Sequence, residues 1–95
     1  MTFEIGKLAA TRSVATLMAD DSDFCFFAQL AFARYRRCDW GEMAESDKAM
    51  NDAAVQNGND RIFAAYEHPQ HPDWRLWIIT ESNRSYTTLL FPDEY

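Results

Sequence analysis

The chain has 95 residues, a formal net charge of −6 and an aromatic content of 15%. That length holds one hydrophobic core in a single domain, residues 1–95, and small domains bury a smaller fraction of their chain, so bulky rings must supply much of that core. Fifteen acidic side chains face nine basic ones, with no basic run longer than Arg36-Arg37. This weighs against direct nucleic-acid binding and against an anionic membrane surface, both of which need clustered cations.

The first residues, MTFEIGKLAATRSV, lack the basic start and apolar run of a signal peptide. No apolar stretch approaches the ~20 residues that span a bilayer. FEIGKLAAT reads either as an edge strand interrupted by Gly6 or as an extended lead-in. In TRSVATLMADD, Thr11 or Ser13 can cap a short helix with Val14, Leu17 and Met18 on one face. The acidic cluster Asp20, Asp21 and Asp23 should end it.

Asp21 or Ser22 then caps a helix over about residues 22–38, where negative charge suits the N-terminus. It is apolar almost all round through Ala33, with Ser22, Gln29 and Arg36 on a narrow polar sector, which predicts a central element. Arg34, Arg36 and Arg37 fall in its last turns and offset the macrodipole. Cys25 and Cys38 lie on this same helix, and at about 1.5 Å per residue they stand nearly 20 Å apart, too far for a disulfide. Reduced thiols imply a cytoplasmic protein.

CDWGE breaks the chain, with Asp39 able to cap, and EMAESDKAMNDAAVQNG predicts a third helix ending before Gly58. Met43, Met50 and Ala54, with Ala53 beside them, form its expected apolar stripe. Glu42, Glu45, Asp47 and Asp52 form its acidic outer face.

After NGND the period changes to alternation. RIFAAYE (61–67), WRLWIITE (74–81) and SYTTLLF (85–91) read as three strands. The second carries Trp74, Leu76 and Ile78 on one face and Trp77 and Ile79 on the other, so it belongs in the middle of a sheet. The expected fold is α+β. Two to three helices from a helical half at about 12–58 pack on an antiparallel sheet of three to four strands, whose meander spans about 61–91.

EHPQHPDW places His68 and His71 three apart, each followed by a proline. A zinc site needs three or four ligands; this loop offers two histidines, with Glu67 and Asp73 as near oxygen donors. The plainer reading is a turn in which Pro69 and Pro72 stop strand pairing and both rings stand in solvent. No cofactor is expected.

Nucleophilic catalysis has no G-x-S-x-G elbow here. Cys25 sits mid-helix among apolar residues. Cys38 sits at a helix C-terminus that disfavours a thiolate, although Arg36 and Arg37 favour one. Gly6, Gly41 and Gly58 are too scattered to cradle a phosphate. What remains is surface. Asp39, Glu42, Glu45, Asp47 and Asp52, with Asp60 beyond them, face a single lysine, Lys48. They are either a solvated face or a patch that docks on the basic groove of another protein. Arg75 and Arg84 beside Trp77 and Tyr86 form a second interface candidate, sheet core being the plainer role for both rings.

RYRRCDWGEM, ESDKAMNDAAV, NGNDRIFAAYEHP and WRLWIITESNRSYTTLLFPDEY resemble a family of small uncharacterised, plasmid-related proteins from conjugative and integrative elements of Gram-positive bacteria. The resemblance covers nearly the whole chain and is strongest over 38–41, 47–52, 60–66 and 77–95. It brings no catalytic residue with it. It implies accessory cargo of mobile DNA, a setting in which small acidic proteins are often anti-CRISPR or anti-restriction inhibitors; that step is association. The resulting expectation is a non-enzymatic inhibitor that occludes the basic nucleic-acid-binding surface of a host defence protein. The alternatives are a small metal-dependent enzyme and a homodimeric conjugation accessory protein pairing through a sheet edge or exposed aromatics.

Overall fold

The computed structural model describes residues 1–95 and orders them as β1 (Lys7–Ala10), α1 (Arg12–Asp20), α2 (Ser22–Arg36), α3 (Glu45–Asn57), β2 (Ile62–His68), β3 (His71–Thr80) and β4 (Tyr86–Leu90). A short 3-10 turn, Pro92–Glu94, follows. The caps expected for α1 and α2 form, whereas Asp39 does not cap α3: its N-cap is Ala44, which makes no side-chain cap hydrogen bond, and the Asp39 carboxylate is held by Arg34. Thr11 Oγ1 accepts from Val14 N at 3.3 Å, and Asp21 Oδ1 accepts from Asp23 N and Phe24 N at 2.9 and 3.1 Å. Gly58 ends α3 in the left-handed region at φ 73°.

The fold is α+β, with the strand order β1-β4-β3-β2. The meander β2-β3-β4 is antiparallel, as its short connections dictate. The sheet as a whole is mixed, because β1 runs parallel to β4 with Lys7 beside Tyr86 and Ala10 beside Leu89. No hairpin joins β1 to its neighbour, so its direction follows from α1. Thr11 N donates to Leu89 O at 3.0 Å, and the first helical turn starts directly over β4.

Alternation along β3 divides the sheet as its sequence pattern implies. Leu76 and Ile78 face the helices and are fully buried, together with Ile62, Ala64 and Tyr66 of β2 and Leu89 of β4. Val14 of α1 and Phe24, Phe27, Ala28, Ala31 and Tyr35 of α2 cover them. On the opposite face Ile79 and Leu90 are 5% and 7% exposed. No helix covers that face. Aromatic rings close it instead: Trp77 stands edge-on to Phe63 at 4.7 Å and near Tyr95 at 5.7 Å. Tyr86, in contrast, is exposed.

Three expectations need correction. α2 is not a central helix: it buries one face and leaves Phe26 63% and Leu30 49% exposed. α3 starts at Glu45, leaving Glu42 in the preceding loop, and its buried residues are Asn51 and Ala54, whereas Met50 is 70% exposed. The cause is placement. α3 lies along the free edge of β2, where unpaired backbone groups need a polar partner more than an apolar stripe. The Asn51 carboxamide supplies it, donating to Phe63 O at 2.7 Å and accepting from Phe63 N at 3.3 Å. Third, β3 begins at His71, not Trp74. Glu67 pairs with Arg75 and His68 with His71, so Pro72 sits in a bulge where no ladder N–H is required of it.

At the centre of the helix-facing side lies a buried chain of hydroxyls. Tyr35 Oη is 2.7 Å from Thr80 Oγ1, which is 2.7 Å from Thr87 Oγ1; Thr87 donates to Ile5 O at 2.7 Å. Each hydroxyl has one proton. With that of Thr87 committed to Ile5, the others run from Tyr35 to Thr80 to Thr87. Burial pushes the Tyr35 phenol well above its usual pKa range, so it stays a donor.

Removing the first donor should therefore be milder than removing the last. Tyr35→Phe is expected to destabilise by about 1 kcal/mol, and Thr87→Val by about 2–3 kcal/mol because it strands the Ile5 carbonyl and forces Thr80 to donate back to Tyr35, whose proton is then left with the longer contact to Ile62 O at 3.4 Å. Urea unfolding of the two variants checks this order, and a larger loss in Tyr35→Phe would overturn it.

Candidate interaction surface

The segment 37–44 connects α2 to α3 and carries two of the five acids of the expected patch. Its path is set by Arg34 in the last turn of α2. The guanidinium holds Asp39 through two hydrogen bonds, at 2.8 and 3.2 Å, reaches Glu42 at 3.9 Å, and lies 5.1 Å from the centre of the Tyr66 ring. Tyr66 donates its hydroxyl to Asp39 O at 2.7 Å. The Arg34 hydrogen bond holds the Asp39 carboxyl below its ordinary pKa and raises that of Arg34. Burial pushes the Tyr66 phenol far above its own.

This loop also seals part of the β2 edge. Gly41 bridges in parallel to Ala65, Glu42 N donates to Ala65 O at 2.8 Å, and the Glu42 carboxylate accepts from Glu67 N at 3.0 Å. Gly41 has φ 78°, and a β-carbon there would collide with the Ala65 carbonyl oxygen, so a glycine is needed at this close approach.

The five acids thus separate into two groups. Asp39 and Glu42 meet around Arg34. Asp52 accepts from the indole Nε1 of the buried Trp40 at 2.9 Å. Those three carboxylates hold the chain together. Glu45 and Asp47 lie in the first turn of α3, where their charge suits the helix dipole. Glu45 reaches Lys48 at 3.6 Å with its own side chain 92% exposed, and Asp47 makes no ion pair within 4.0 Å.

Asp47 instead lines an open groove of about 580 Å³ between α3 and β2. Met43, Met50 and Phe63 provide its apolar lining and Asp60 a second carboxylate; Arg61, the one cation in the lining, donates to the Tyr95 hydroxyl. Sequence reading counted Asp60 among the acids but did not join it to Asp47. Phe63 alternates with the buried Ile62 and Ala64 of β2, but helical periodicity placed Met50 with Ala54 on the apolar stripe, so nothing in the sequence marked it as a groove residue.

His71 is exposed, as expected, whereas His68 is half-buried, and both rings lie against Trp74. The His71 ring stacks on Trp74 at 4.1 Å and 18°, and His68 stands edge-on to Trp74 at 5.3 Å and to Phe27 at 5.4 Å. His68 Nδ1 accepts from Gln70 N at 3.0 Å, which closes the turn. Nowhere are three or more His, Cys, Asp or Glu side chains grouped to hold a metal ion. Both cysteines are free thiols and half-buried; burial raises the Cys38 pKa, and its Sγ lies 3.6 Å from Met1 O. Arg84 of the second candidate is bound internally, donating to Ala54 O at 2.9 Å and Asp60 O at 2.6 Å. Arg75 pairs with Glu67 at 3.2 Å.

No protein-family model matches the chain, and no curated protein or solved structure matches it.

The Arg34–Asp39 pair carries a pH signature. A carboxyl whose folded pKa is lowered stabilises the fold above its unfolded pKa of about 3.9, and that contribution is lost as pH falls through the folded value. Because the pair is partly exposed, Asp39→Asn should cost about 0.5–1 kcal/mol at pH 7. The gap between wild type and variant should close below about pH 4, as measured by urea midpoints across pH.

Proposed function

We propose that this chain is a non-enzymatic binding protein that engages a basic segment of a partner protein at the groove between α3 and β2. The observation that carries the reading is the pairing of an exposed apolar side chain with uncommitted charge. Met50 is 70% exposed beside Asp47, and the groove between them and Phe63 is open. Methionine is adaptable and polarisable, and suits a surface that accepts an apolar side chain of variable shape. Asp47 and Asp60 at the rim would take a lysine or arginine from the same partner segment.

The net charge of −6 acts at longer range, steering a positively charged surface toward the groove. The resemblance to plasmid-related proteins supplies the partner class: a host defence protein, CRISPR effector or restriction enzyme, whose basic nucleic-acid-binding surface would be occluded. Glu45, on the first turn of α3, extends the same negative surface. Asp39, Glu42 and Asp52 serve this reading indirectly, by fixing the loop and helix that form the groove.

Affinity capture from a bacterial host, followed by mass spectrometry and titration of the captured protein, tests the proposal. Asp47→Lys/Asp60→Lys should weaken binding at least about tenfold, and binding by wild type should fall as salt rises. Retention of the same partner with unchanged affinity in that variant would sink the groove reading. Asp39→Asn, which leaves the rim intact, should bind like wild type once folded.

A further inference from the structure

α2 keeps a second face that the fold does not use. Asp23, Phe26, Leu30 and Ala33 of α2, and Arg37 at its C-cap, are all exposed and follow one another at intervals of three, four, three and four residues. That is the spacing of a coiled-coil seam. Phe26 and Leu30 are large apolar groups, 63% and 49% exposed, with the small Ala33 one turn further along. Asp23 at one end and Arg37 at the other make no ion pair within 4.0 Å in the chain.

We propose that the chain forms a symmetric dimer in which α2 packs antiparallel on α2 of a second copy, with the two-fold axis at Leu30. Asp23 and Arg37 lie seven residues on either side of Leu30, about 10 Å along the axis in each direction. An antiparallel pair therefore brings the carboxylate of each copy level with the guanidinium of the other. The same register sets Phe26 against Ala33 of the second copy, large against small, and Leu30 against Leu30. A parallel pair would place Asp23 beside Asp23 and Arg37 beside Arg37, so charge selects the antiparallel form. The seam is on α2, away from the groove between α3 and β2, and the inference stands independently of the proposed partner.

A seam of about 20 Å buries less than the ~800 Å² per partner of a standard interface, so association should be reversible and concentration-dependent. Sedimentation velocity over roughly 10 µM to 1 mM should show a monomer–dimer equilibrium. Leu30→Asp should abolish it without disturbing the fold, since the side chain is exposed; a thermal melt confirms folding. Asp23→Arg and Arg37→Asp should each weaken the dimer roughly tenfold, because each creates two like-charge contacts across the axis. The double exchange, Asp23→Arg/Arg37→Asp, should restore it. A monomer throughout the range, or a dimer indifferent to Leu30→Asp, would overturn the proposal; the latter would move the interface to another surface such as the open β1 edge. A double exchange no tighter than the single variants would overturn the antiparallel arrangement.

Discussion

The buried hydroxyl chain from Tyr35 to Ile5 is the point on which the layers depend. Its members come from α2, β3, β4 and the segment before β1, and Tyr35, Thr80 and Thr87 are completely buried. Apolar packing alone would let α2 slide over the sheet at little cost, since one aliphatic contact resembles another. A buried hydroxyl without its partner is expensive, so only one register leaves every member satisfied. No buried side-chain nitrogen or oxygen lacks a partner. The chain also binds Ile5, just before β1, to β4, which helps explain how a four-residue strand with exposed side chains holds a place in the sheet.

The second constraint is the sheet edge. β2 would present a row of unpaired backbone groups to any other strand. Here that row is occupied in sequence: Phe63 by the Asn51 carboxamide, Ala65 by Glu42 N, and Glu67 by the Glu42 carboxylate. Arg34 and Asp39 hold the loop that delivers Glu42, and Arg84 ties the β3–β4 turn to the Ala54 carbonyl in the last turn of α3. Arg84 does so from φ 60°, an uncommon backbone region for arginine, with its guanidinium also bonded to Glu81 O and Ser82 O at 3.2 Å. Cations placed at helix C-termini thus also organise the chain that follows.

What was legible in the sequence was local. Caps at Thr11 and Asp21, the stop at Gly58 and the alternation of β3 each depend on neighbours a few residues away, and each appears in the structure. What was not legible was set by distant contacts. The direction of β1 depends on a strand at the other end of the chain. Asn51 is a polar residue in a buried position because a strand edge lies against it, which helical periodicity cannot show. An all-round apolar helix reads the same whether every face is covered or one face is left free, and α2 is the latter. His71 stacks on Trp74 and His68 stands edge-on to it where the β2–β3 register shifts after Glu67, a contact that local turn chemistry does not foretell.

The acids show the same limit in charge rather than shape. Counting carboxylates along 39–60 finds an excess of negative charge but not its availability. An aspartate bonded to arginine, or holding an indole N–H, has already exchanged part of its hydration for an internal partner, and a new cation gains less from approaching it. Asp39, Glu42 and Asp52 are in that condition, while Asp47 is not. Under the proposed function the binding surface therefore narrows from the whole helix to its groove side, where an uncommitted carboxylate and an exposed methionine meet. Three of the five acids that look like a patch in the sequence are instead tied to Arg34, Trp40 and the edge of β2.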